Sequence, residues 1–113
     1  MTDRQYSLRP HAADPEVGRE RREAARILRL AAGFPGRHDD ELEWLFARMP
    51  RCLHARRLII RRLMEQRDLD GAEAVILQGL LQRPNQPALL LLLAECQFRG
   101  GDLATARQTI DRV

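Results

Sequence analysis

Few residues in this chain could do chemistry. Its histidines are His11, His38 and His54, and its two cysteines are Cys52 and Cys96. Cys52-Leu53-His54 could offer two metal ligands, with His38 or Cys96 as further ones, but the spacing matches no standard zinc motif. A thiol and an imidazole at the start of a helix need no metal to explain them. No serine stands in a nucleophile motif, and nothing supports a Cys–His catalytic pair. Gly33 and Gly36 flank a Phe-Pro turn, not a phosphate loop. The acidic run Asp39, Asp40, Glu41, Glu43 could hold a cation weakly, yet a helix N-terminus attracts the same charges without any ligand. The chain is therefore read as no enzyme, with no catalytic residue, metal or cofactor. What remains is a binding surface carried by whichever elements present it.

The elements are helices. Apolar residues make up 44% of the chain and aromatics only 4%, so the core must be Leu, Ile and Ala, with few of the Val and Thr that favour sheet. The densest apolar stretch is Pro84 to Phe98, PNQPALLLLLAECQF, in which Leu89 to Leu93 are consecutive. Five adjacent positions at about 100° per step circle a helix, so a helix over 87–99 must be covered on most of its faces. It is far short of the roughly 20 apolar residues of a membrane span. Pro87 suits its first turn. All basic residues are Arg and the net charge is +3, but acids interleave with them, which argues against a nucleic-acid stripe. No signal-peptide pattern precedes the domain. Two cysteines are too few for a disulfide framework and read as free thiols in a reducing cytoplasm.

Residues 1–13 are polar and unpatterned and are expected to be a disordered arm; 14–113 should be a single helical domain. Asp14 is a candidate cap, Pro15 a first helical residue, and Ala24, Ile27, Leu28 and Ala31 make an i, i+3, i+4, i+7 stripe to about residue 32. A second helix over about 39–49 has Asp39 as a cap and Leu42, Leu45, Phe46 and Met49 as its apolar face, with Trp44 on its shoulder seeking a second surface. From Pro50 the chain repeats with an offset of 34 residues, the distance to Pro84. Leu58 then matches Leu92, Ile59 Leu93, Ile60 Ala94, Met64 Phe98, Asp68-Leu69 Asp102-Leu103, Ala72 Ala106 and Ile76 Ile110. RDLDGAEAVI and GDLATARQTI are the clearest pair.

That period and register resemble the tetratricopeptide repeat (TPR) family. The resemblance implies an all-α fold of antiparallel helix pairs, a TPR-like right-handed superhelix of about six helices. Its repeats cover about 53–86 and 87–113, with helices over 53–65, 69–82, 87–99 and 103–113; residues 14–49 form a divergent pair. The family's small residue early in the second helix falls on Ala72 and Ala106, where helices cross closely. Its large residue later in that helix falls on Ile76 and Ile110. Arg56 and Leu90 stand at its Trp position, Leu63 and Gln97 at its Tyr position.

The first helices of TPR pairs line a concave groove. Carried over, the lining is His54, Arg57, Arg61 and Met64 from the first copy and Ala88, Leu91, Glu95 and Phe98 from the second. Leu92 stands where binders of acidic chaperone tails need Asn, and Arg57 and Arg61 replace Lys and Asn. The groove is thus basic at one end and apolar at the other, suited to an amphipathic helix with an acidic flank. Alternatively, Leu91 and Phe98 pack on the N-terminal helices of the same chain. The size, the acidic helix Asp39–Trp44 and the Pro87-Ala88-Leu89 run leading to Cys96 are similar to the small TPR chaperones of bacterial type III secretion. The implied function is a cytoplasmic bacterial protein-binding chaperone; a scaffold or adaptor in a larger assembly is the alternative. The implied partner is a protein with an amphipathic helix or a second copy of the chain, with no nucleic acid and no membrane insertion. Because Leu103, Ala106, Ile110 and Val113 form a stripe with no helix after it, self-association is expected.

Overall fold

The computed structural model describes residues 15–113, so the arm over 1–13 and the Asp14 cap lie outside the described residues. Among the described residues six helices follow one another: α1 (Pro15–Gly33), α2 (Asp39–Arg48), α3 (Leu53–Glu65), α4 (Leu69–Gln82), α5 (Pro87–Arg99) and α6 (Leu103–Ile110). No strand occurs among the described residues. Each helix packs on the next, while α1 also meets α3 and α3 meets α5. The odd helices therefore form one layer and the even helices the other, and the body is 57 Å long but only 18 Å thick. That thickness is about two helix diameters.

The repeat is visible in the backbone itself. After α3, Asp68 N–H donates to Leu63 O and Arg67 N–H to Met64 O; after α5, Asp102 N–H donates to Gln97 O and Gly101 N–H to Phe98 O. The intervening residue is left-handed in both, Arg67 at φ 62° and Gly101 at φ 88°. Two carbonyls at each helix end are thereby satisfied, and the chain reverses. The next helix is capped identically: Asp68 accepts from Gly71 N–H at 2.9 Å, Asp102 from Thr105 N–H at 3.2 Å. Helix α6 stops at Ile110, short of the expected 113, because Arg112 and Val113 N–H close three-residue turns on Thr109 and Ile110.

The main core lies where α3, α4 and α5 meet. Ile60, Met64, Ala72 and Ile76 are buried there against Leu89, Leu90, Leu92, Leu93 and Cys96. The leucine run thus has four of its five members buried, and only Leu91 faces outward. Burial pushes the Cys96 thiol up from its ordinary pKa, and the nearby Glu73 and Glu95 charges add to it. A second cluster, Ala31, Leu42 and Ala55, joins α1 and α2 to α3, and a third, Ala24, Ile27 and Leu45, closes the N-terminal pair.

Two expectations for α2 fail. Asp39 does not cap: it is the first helical residue, and its carboxylate pairs with Arg62 Nε of α3 at 2.7 Å, off the line of a hydrogen bond. Met49 and Trp44 are exposed, because no helix among the described residues lies on that side of the pair; Arg48 stacks on the Trp44 ring at 5.0 Å.

Arg56 joins three helices. It is only 2% exposed and occupies the interior between α3 and α4. Its Nη1 donates to Val75 O at 2.8 Å and to Gln78 Oε1 at 3.2 Å, its Nη2 donates to Pro50 O at 2.8 Å, and its guanidinium lies 4.8 Å over the Phe46 ring. Burial lowers its pKa from the usual guanidinium value. Gly79 makes the room: a Cβ there would fall 2.7 Å from both Arg56 Cδ and Leu89 Cδ1.

Candidate protein-binding site

Helix α3 presents His54, Arg57 and Arg61 to solvent, and no ion pair takes up Arg57 or Arg61 among the described residues. Met64 does not line a groove. It is 3% exposed and belongs to the core, because α5 lies directly on it. On α5, Ala88 and Glu95 are half-buried, while Leu91 and Phe98 are 50% and 64% exposed. Leu91 and Phe98 therefore do not pack on the N-terminal helices.

The structure gathers Leu91, Glu95 and Phe98 with residues that the sequence reading assigned elsewhere. They share an open groove of about 480 Å³ with Leu103, Ala106, Arg107 and Ile110 of α6. His54, Arg57 and Arg61 do not line it, so of the eight expected groove residues three lie on a basic face of α3, three line the groove between α5 and α6, Met64 is in the core and Ala88 lines neither surface. Ile110, which matches Ile76 in register and was expected on the uncovered stripe of the last helix, is 48% exposed, against 0% for Ile76. Thr109 is buried in its stead, with its hydroxyl 2.7 Å from Gln97 Oε1 and 3.0 Å from Thr105 O.

The 34-residue register explains the groove. Its lining residues Ala94, Phe98, Ala106 and Ile110 stand where the first pair has Ile60, Met64, Ala72 and Ile76. In the first pair all four are buried in the core that α5 closes; in the second pair Ala94 and Ala106 are buried within the pair, while Phe98 and Ile110 have no covering helix among the described residues. The signal was present in the sequence, since the same matches that identify the repeat also identify which surface the following helix takes.

Residues 63–113 match the tetratricopeptide repeat family. The matched stretch runs from the end of α3 through α6 and includes both Asp-capped turns. No curated protein and no solved structure matches the chain. The all-α architecture of the described residues is that of a TPR-like helical repeat, and the TPR match marks a protein–protein interaction module. Among the described residues no helix is long and apolar enough to cross a membrane, and no three His, Cys, Asp or Glu side chains come together as a metal site.

Proposed function

We propose that this TPR-like chain holds an amphipathic helix of a protein client. The apolar side of that helix lies on Leu91 and Phe98, and its acidic flank lies toward Arg57 and Arg61. The observation that carries the reading is the groove between α5 and α6, whose register counterparts in the first pair already hold a helix. Exposed apolar residues at this density, rimmed by charge, are the usual mark of a docking surface. The unpaired guanidinium groups on α3 favour acidic over basic clients. Within this reading, a cytoplasmic chaperone of a secretion-apparatus subunit is the more specific assignment. It is supported by the acidic helix around Asp39–Trp44 and by the Pro87-Ala88-Leu89 run leading to Cys96.

Titration of fluorescent amphipathic peptides with acidic or basic flanks, read by anisotropy, tests it. The acidic peptide should bind more tightly. Arg57→Glu with Arg61→Glu should abolish that preference with the helical content intact, and Phe98→Asp should abolish binding altogether. Equal binding of both peptides by parent and variants would sink the proposal.

A further inference from the structure

We infer that the α5–α6 face also pairs with the same face of a second copy of this chain, about a two-fold axis lying along the helix hairpin. The inference rests on the reading of that face as a docking surface, and it names an occupant.

The argument starts from position along the hairpin. Helices α5 and α6 run antiparallel through the turn Gly100–Asp102. Glu95 lies four residues before the last residue of α5, and Arg107 lies four after the first residue of α6, so the two stand level on opposite sides of the groove. A two-fold axis along the hairpin lays α5 of one copy over α6 of the other without shifting the level. Glu95 then meets the partner's Arg107, and the reciprocal pair forms at the same time. The apolar residues obey the same rule: Phe98 comes level with the partner's Leu103, and Leu91 with the partner's Ile110. Arg107 has no partner among the described residues of its own chain. Glu95 holds Arg99 at 3.2 Å, and its carboxylate can accept a second donor.

A head-to-tail arrangement fits less well. The other end of the stack is α1, whose outward residues Arg19, Glu20, Arg21, Arg22, Arg26 and Arg29 are charged and exposed. The apolar residues at that end, Trp44 and Met49, sit among Arg19, Glu20, Glu23 and Arg48 and make a lining unlike that of the groove, whereas the level Glu95 and Arg107 make the α5–α6 face complementary to itself, which is the isologous contact that closes.

Sedimentation equilibrium of the full chain from about 1 to 100 µM tests the pairing, a range that brackets affinities expected of a modest apolar patch. A monomer–dimer equilibrium that goes no further is expected. Glu95→Arg alone and Arg107→Glu alone should each weaken it about tenfold or more, because each places like charges together twice. The two changes combined should restore it to within a few-fold of the parent. Phe98→Asp should give a monomer with unchanged circular dichroism. A monomeric parent, indefinite association, indifference to the single reversals, or no rescue by the double reversal would each overturn the inference. Peptide binding by a monomeric parent would overturn it while leaving the client reading in place; a parent dimer that ignores every peptide would do the reverse.

Discussion

Helix pairs α3–α4 and α5–α6 share a turn, a cap and a register, yet two matched positions are interior in one and exposed in the other. Ile76 is sealed and Ile110 is half open; Met64 is sealed and Phe98 projects. Residue type does not account for the difference, since all four are large and apolar. What differs is the helix laid on top, which is α5 for the first pair and, among the described residues, none for the second. In a stacked repeat, burial is a property conferred by the neighbour, and the terminal pair shows what the inner one looks like before it is covered.

The sharpest way to break this comparison is to cut the same methyl groups from both pairs. Ile76→Ala should cost about 3–4 kcal/mol in urea denaturation, by lost transfer energy and a cavity, while Ile110→Ala should cost under about 1. Equal losses would mean that the second pair is covered as fully as the first. Next in size is Arg56→Ala, expected to cost about 3 kcal/mol, because it strands the carbonyls of Pro50 and Val75 and empties the space beside Gly79. Thermal melting should show the drop undiminished in high salt, since the acceptors are neutral. Ala72→Leu and Ala106→Leu should each cost about 1–3 kcal/mol, because both alanines are buried between the helices of their own pair and not only under a following one. A loss confined to Ala72→Leu would show that the second pair opens to admit the larger side chain. The smallest effect concerns the matched turns. Arg67→Gly should stabilise by about 1 kcal/mol and Gly101→Arg should destabilise by about the same, since only glycine takes positive φ without cost. Indifference at both positions in equilibrium unfolding would mean that the turns relax.

Helix positions were legible because the signals were local and redundant. Asp68 and Asp102 announce helix starts, Pro87 announces another, and the 34-residue offset confirms each from the other. The groove was only half legible. Leu91, Glu95 and Phe98 were found from the α5 register, but Met64 was placed beside them because it matches Phe98. A match in register carries over backbone position; it does not carry over exposure, which depends on a later segment of chain. Arg56 was legible only as a departure from an aromatic position. Its partners are two backbone carbonyls, which leave no trace in sequence, and an amide from Gln78. Gly79 drew no notice in the sequence and is the space that Arg56 and Leu89 require. Asp39 resembled a cap for sound reasons, and tertiary attraction to Arg62 overrode the local preference.

The layout of contacts also bears on how the chain reaches this state. Each helix meets chiefly the one made just before it, with α3 reaching back to α1 and α5 back to α3. Among the described helices none near the start of the chain waits for one near its end, so loop-closure entropy is met in small instalments and folding should be fast for the chain's length. As the chain is synthesised, α3 finds α1 and α2 already there to dock on, and α5 finds the surface of α3 and α4 ready. Across the described helices, order of synthesis and order of assembly coincide.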